Sequence, residues 1–141
     1  MAGVIVLDAG VVIALHDATD HHHGWAVEMF IATASSELAI SALTQAEVMV
    51  HPHRADILEE FERNIAGLQW DVQGIDARDA RELAILRAET SLRMPDLVVL
   101  QLALKLGAGL ATTDATLARE ATHKGLEVCA PAVTPLVSTN R

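Results

Sequence analysis

Val4-Ile5-Val6-Leu7-Asp8 is the stretch on which the fold turns. Four consecutive apolar residues, three of them β-branched, are the signature of a strand buried on both faces. Asp8 breaks the run, and Ala9 to His16 reads as a helix. Outward from this unit the same alternation recurs. Trp25, Met29 and Phe30 mark one face of a helix over 22–34, and Leu38-Ala39-Ile40 is a short strand. Leu43 to Val50 is helical and bounded by Pro52. Ile57, Leu58, Phe61, Ile65 and Leu68 recur at helical spacing, with Gly67 near the helix end and Trp70-Asp71-Val72 as a strand beyond it. Asp76 caps a helix from Ala77 to Leu92, and Pro95 opens another that runs to Leu106 and is closed by Gly107 and Gly109. Leu110-Ala111-Thr112, the helix Ala115 to Thr122 and the strand Leu126-Glu127-Val128 complete the pattern. Strands alternating with helices predict an α/β fold, a three-layer α/β/α sandwich with a central parallel sheet and right-handed crossovers. Two long helices in the middle exceed what simple alternation needs and are expected as a small flap. The domain is expected over 1–129, with a C-terminal tail over 130–141.

Composition narrows the function classes. The 141 residues make one ordinary domain, with 51% hydrophobic and 21% charged residues, so disorder and coiled coil are disfavoured. Ten Lys and Arg against nineteen Asp and Glu give a formal charge of −9, which excludes holding nucleic acid by general basicity. Aromatics are 3%, with no tyrosine, so bases are not stacked on an aromatic platform. A single cysteine, Cys129, permits no intrachain disulfide and no Cys-rich zinc site, and is read as a small core residue. Met1 to Leu7 carries no basic charge, and the longest apolar region, 97–111, contains Gln101 and Lys105. The expectation is a soluble cytoplasmic domain without a membrane segment.

Four acids stand at junctions between elements. Each has a bland explanation. Asp8 and Asp114 suit helix N-caps, Glu47 follows Thr44 at capping-box spacing, and Asp96 after Pro95 suits a first helical turn. Jointly they say more. In a parallel sheet all carboxyl ends of the strands lie on one edge, where ligands bind at the reversal of strand order. Asp8, Glu47 and Asp114 each follow a strand within a few residues. Four carboxylates in one crevice raise one another's pKa unless a cation intervenes. Oxygen donors favour Mg²⁺ or Mn²⁺, and such an ion serves phosphoryl chemistry. A site that meets polyanions through metal also reconciles the −9 charge with a nucleic-acid substrate.

From Val4 to about Val128 the chain resembles the PIN-domain nucleases, and most closely the VapC toxins of type II toxin–antitoxin systems. The carriers are Val6-Leu7-Asp8-Ala9 with Ile13-Ala14-Leu15, the run Ile40-Ser41-Ala42-Leu43-Thr44-Gln45-Ala46-Glu47-Val48, then Leu92-Arg93-Met94-Pro95-Asp96 and Thr112-Thr113-Asp114-Ala115-Thr116-Leu117. The resemblance implies that Asp8, Glu47, Asp96 and Asp114 form the family's acidic metal-binding and catalytic quartet. Thr112 and Thr113 would be the hydroxyl positions beside the fourth acid. It implies a Mg²⁺-dependent ribonuclease, with Mn²⁺ as substitute, leaving a 5′-phosphate and a 3′-hydroxyl. It also implies a homodimer and a basic, partly disordered VapB-like antitoxin, expected to lie over Trp25, Met29, Phe61 and Ile65. One departure is Gly10, where the family often has Ser, Thr or Asn.

Other residues are weighed against simpler roles. His21-His22-His23 reads as a solvated helix start, since adjacent helical side chains diverge by about 100°. His51 and His53 flank Pro52 and read as loop residues. Arg93 is a candidate for an RNA phosphate or for an ordinary salt bridge. Arg78, Arg81 and Arg87 read as a solvated face paired to Glu82 and other acids. Two rival functions are a non-catalytic module on the same fold and a receiver domain. The receiver reading needs a phosphoacceptor Asp after a central strand and a lysine after the last one, whereas Asp71 lies within a weak strand and Lys124 precedes the last, which disfavours it.

Overall fold

Why Val4 to Leu7 is apolar at every position is plain from where it lies. In the computed structural model, which describes residues 3–132, β1 (Val4–Leu7) is the middle strand of a five-stranded, all-parallel sheet. Its companions are β2 (Glu37–Ser41), β3 (Asp71–Gln73), β4 (Gly109–Ala111) and β5 (Val128–Cys129), in the order β3-β2-β1-β4-β5. Val6 pairs with Ala39 on one side and Leu110 on the other. The pleat then divides β1 between two cores. Ile5 and Leu7 join a cluster with Val11, Met29, Val48 and Phe61, from α1 (Ala9–His16), α2 (His23–Ala32), α3 (Ala42–Arg54) and α4 (Leu58–Ala66). Val6 faces the opposite cluster with Leu83, Leu97, Leu100 and Leu117, from α5 (Ala77–Glu89), α6 (Met94–Leu106) and α7 (Ala115–His123). The three-layer sandwich anticipated from the alternation is thus present.

The chain runs outward from β1 through β2 to β3, then returns to place β4 on the other side of β1. The carboxyl ends of β1 and β4 therefore meet at the reversal of strand order, which is where a parallel sheet opens a crevice. Helix α3 packs on β2 and α1, and α6 packs on β1, β2 and β4, with every residue from Leu97 to Ala103 buried; α4 packs on α3 and α5 on α6. Gly107 ends α6 in the left-handed conformation (φ 59°), while Gly109 starts β4 rather than closing the helix.

Some local expectations are overturned. Pro52 lies inside α3, near its last turn, and the helix continues to Arg54. The capping box of Thr44 and Glu47 does not form, because Ser41 is the N-cap and its hydroxyl accepts the Leu43 N–H at 3.3 Å. The apolar stripe assigned to a partner is used internally: Met29, Phe61 and Ile65 are buried in the core and Trp25 packs against it. Arg78, Arg81 and Arg87 form no ion pair among the described residues; the pairs there are Lys105–Asp79 and Lys124–Glu89. The last strand begins at Val128, two residues later than read, and Cys129 is half-buried. Of the expected tail, residues 133–141 lie outside the described residues. No helix among the described residues is long and apolar enough to cross a membrane.

Asp79 is a structural acid that pattern reading passes over. It is buried, and its carboxylate accepts the Asp76 N–H at 2.9 Å in a capping box and bonds Gln101 and Lys105 at 2.9 and 3.2 Å. The Asp76 amide, followed by Lys105, holds its pKa down at about 2. A lowered acid stabilises the fold above its unfolded value and loses that contribution as pH falls toward the folded one. Asp79→Asn should therefore lower the melting temperature at neutral pH, with the gap to wild type closing as pH falls from 4 toward 2. Leu110, fully buried on β4, has no such dependence; Leu110→Ala should cost about 2–5 kcal/mol in denaturant unfolding at any pH where the fold holds.

Candidate active site

Asp8 is held from three sides. Its backbone N–H donates to the Ala111 carbonyl (3.0 Å), which pins the end of β1 to β4. As N-cap of α1 it turns one carboxylate oxygen to the Ala9 N–H (2.8 Å). The other oxygen accepts the hydroxyl of Thr112 (2.7 Å). Thr112 is fully buried, and the same hydroxyl oxygen accepts the Asp114 N–H (2.9 Å). Asp114, the N-cap of α7, accepts the Leu117 N–H at 2.8 Å. Asp8, Thr112 and Asp114 are therefore one hydrogen-bonded unit across the strand-order reversal. Both acids are caps, and the capping role leaves carboxylate lone pairs over.

Glu47 and Asp96 come from other helices. With Ser41 capping α3, Glu47 is released from helix-end duty and is exposed on the second turn of that helix. Thr44, one turn earlier, is buried, and its hydroxyl has no partner among the described residues. Asp96 lies in the first turn of α6, which Pro95 opens without any side-chain cap from Arg93.

The four charges act on one another. Burial raises the pKa of Asp8, against the Thr112 and Ala9 hydrogen bonds that lower it, and the Asp114 charge raises it further. Glu47 is raised by desolvation, then by the charges of Asp8 and Asp96. Asp96 is raised by burial and by Asp8 and Asp114, with Arg93 as a weaker opposing influence. The structure thus brings all four sequence-predicted acids to one edge of the sheet. They do not touch: among the described residues no three His, Cys, Asp or Glu side chains converge closely enough to enclose a metal ion. The donor chemistry nonetheless suits a hard cation, being carboxylate and hydroxyl oxygen only.

The remaining expected residues divide. Thr112 is integral to the unit. Thr113 sits over the first turn of α1, where a Cβ on Gly10 would collide with its hydroxyl oxygen, so the glycine is what admits it. Arg93 is exposed and makes no ion pair among the described residues. His23 is tied back to α1, its Nδ1 donating to the Ala14 carbonyl at 2.8 Å, so the histidine run is not a ligand set. Asp71 opens the edge strand β3, which removes the receiver reading. The hydroxyl link through Thr112 is the element that sequence reading placed beside the acids without foreseeing its double bond.

The PIN domain family model matches residues 5–122. No curated protein sequence matches the chain. Among solved structures, a toxin–antitoxin complex from Klebsiella pneumoniae is similar, at 24% identity and a TM-score of 0.63, covering 78% of this chain and 86% of that one. VapBC2 from Rickettsia felis, bound to a DNA fragment from its promoter, is similar at 15% identity and a TM-score of 0.68, covering 90% and 98%. VapC20 from Mycobacterium tuberculosis, a Sarcin-Ricin loop cleaving toxin, is similar at 18% identity and a TM-score of 0.65, covering 82% and 94%. At such identities the solved structures establish the shared fold. The family model spans all four acids, and the chain belongs to the PIN domain family.

Proposed function

We propose that this PIN domain is the toxin of a type II toxin–antitoxin system, a Mg²⁺-dependent endoribonuclease that hydrolyses RNA phosphodiester bonds, with Mn²⁺ able to substitute. One observation carries the reading: Asp8, Glu47, Asp96 and Asp114, from four different helices, lie near enough for each charge to bear on others at the crevice where strand order reverses. A structural role for the caps does not explain Glu47 or Asp96, whose carboxylates make no hydrogen bond among the described residues. Toxin–antitoxin complexes among the similar structures support the biological setting.

Asp8 and Asp96, with Glu47 or Asp114, would hold a Mg²⁺ directly or through water, and the ion would supply charge neutralisation at the phosphate and a water of lowered pKa. Thr112 keeps one Asp8 oxygen aimed and ties Asp8 to the backbone of Asp114. The acid left without a direct ligand role orients the water and takes its proton. In-line attack then leaves a 5′-phosphate and a 3′-hydroxyl. Arg93, beside Asp96 and unpaired, suits contact with an RNA phosphate.

Partners follow the same reading. Ile13 on α1, Ile31 on α2, and Leu43 and Val50 on α3 are exposed large apolar side chains. They offer area for a homodimer contact and for an amphipathic segment of a VapB-like antitoxin, in place of the buried stripe around Phe61. An antitoxin arginine would match a crevice carboxylate bidentately. The proposed place of action is the cytoplasm.

The decisive experiment separates charge from fold. Asp96→Asn should reduce RNA cleavage by roughly 10²–10³-fold, the usual cost of one preorganised electrostatic partner. Its melting temperature at neutral pH without metal should rise, because the raised pKa of Asp96 makes its ionised form a native-state penalty. That gain should vanish as pH falls below the ordinary carboxylate value of about 4, where neither state is ionised. Mg²⁺ should raise the wild-type melting temperature and raise that of Asp8→Asn less, as for any ligand of the native state alone. Full cleavage by Asp96→Asn would overturn the site. Thr112→Val tests the link: losing a hydroxyl that serves a buried acid should cost about 1–3 kcal/mol and lower the cleavage rate with it.

A further inference from the structure

A polyanion nearing a chain of charge −9 must avoid carboxylates everywhere except at the metal. One surface permits that. A groove of about 1080 Å³ runs beside α7, lined among others by His22, Thr113, Ala118, Arg119, Thr122 and His123, and contains no Asp or Glu. Four other cavities each carry at least one acid, Asp79, Glu37, Glu62 and Asp56 among them. Ala115, Ala118, Arg119 and Thr122 line the groove at helical spacing, so it follows one face of α7. Glu120 falls on another face and does not line it.

The groove also lies near the crevice. Thr113, one of its lining residues, stands directly before Asp114 and lies against Gly10 in the first turn of α1, two residues beyond Asp8. The Thr113 hydroxyl has no hydrogen-bond partner among the described residues. Arg119 is exposed, forms no ion pair there, and contacts only the Thr116 hydroxyl of its own helix at 3.5 Å. Lys105 and Lys124, by contrast, are already paired with Asp79 and Glu89.

We propose that this groove is the track along which a single-stranded segment of the RNA leaves the acidic crevice, with Arg119 and the Thr113 hydroxyl contacting backbone phosphates, while the Thr122 hydroxyl donates to the Ala118 carbonyl of its own helix and only lines the wall. The inference rests on the ribonuclease reading and names where its substrate lies. Charge complementarity selects the occupant: the groove offers cation, imidazole and hydroxyl, and no carboxylate to repel phosphate. Helix α7, nine residues and about 14 Å long, matches a few nucleotides. Small residues, Ala115 and Ala118, let a backbone approach the helix closely.

The test uses the full chain and a short fluorescein-labelled single-stranded RNA, with binding followed by anisotropy across a salt series and cleavage followed separately. Arg119→Glu and Ala118→Glu each put an acid into the groove and should weaken binding about tenfold or more, raising KM while leaving kcat near wild type. Arg119→Ala should flatten the slope of log affinity against log salt by about 0.7, the value for one phosphate contact on a single strand. Arg63→Glu, the same charge change on exposed α4, should alter none of these. Circular dichroism checks that Ala118→Glu folds; Arg119 is exposed and its variants keep the test open if it does not. Unchanged affinity and salt slope in both Arg119 variants would overturn the track. Affinity that appears only after residues 133–141 are deleted would give the groove to the chain's own C-terminal residues and overturn it too. If wild type neither binds nor cleaves RNA, the ribonuclease reading falls, and this inference with it.

Discussion

The hydroxyl of Thr112 is the smallest group in the site and the one on which its geometry depends. It donates to Asp8 and accepts from the backbone of Asp114, so one buried oxygen spans the ends of β1 and β4. Those ends are adjacent only because the chain completes β2 and β3 on one side before returning to lay β4 on the other. A topology that is purely a matter of backbone pairing thereby brings residues 8 and 112 within hydrogen-bond reach. Cys129 adds a further tie, its carbonyl accepting the Thr112 N–H at 3.0 Å and fixing the backbone on which the hydroxyl turns. The four-residue apolar run of β1 serves the same end. Its alternate side chains fill opposite cores, so Asp8 emerges from the most constrained strand of the molecule.

Holding acids near one another has a cost that the structure distributes. Asp8 and Asp114 are compensated in part as helix caps, where backbone N–H groups and the helix dipole favour negative charge. Asp96 gains from the first turn of α6 in the same way. Glu47 has no such compensation and is the most water-exposed in setting of the helix-borne pair, so it can move to a cation as readily as to solvent. The result is a site loose enough that no three carboxylates enclose an ion on their own. Their charges raise one another's pKa, and in the proposed reading a divalent cation would be the counterweight. The fold supplies anchored carboxylates on one side and adjustable ones on the other.

Much of this was legible in the residues, and the exceptions share a cause. The buried strand, the capped helices and the four acids announce themselves locally, through apolar runs, Asp and Pro at element starts, and Gly107 at an end. What depended on tertiary context did not. Pro52 sits within α3 because the lost hydrogen bond falls near the helix end, where one broken rung can be tolerated. Thr44 matches a capping-box pattern, yet Ser41, one turn earlier and closer to the strand, takes the cap. Met29, Phe61 and Ile65 form an attractive binding stripe until the sheet is seen to need them as its second core. Asp79 resembles any surface acid of a charged helix, and only the approach of Gln101 and Lys105 from α6 makes it a buried one. Spacing within a helix reveals which side chains share a face, but not what that face meets.

The net charge, which excludes holding nucleic acid by general basicity, also constrains how the proposed RNA substrate could be met. A basic enzyme attracts RNA over its whole surface and must then find the reactive phosphate. A chain at −9 repels it nearly everywhere, so productive approach is confined to places where acids are absent or neutralised. In the proposed reading the acidic crevice would meet the second condition with a cation bound, and the groove of Arg119 meets the first without help. Thr113 lines the groove directly before Asp114, and Gly10 is what lets it pack so tightly: a side chain there would displace the Thr113 hydroxyl. The departure of this sequence at position 10 therefore has a physical counterpart two elements away, where a hydroxyl carried by the β4–α7 connection occupies space that a residue of α1 would otherwise fill.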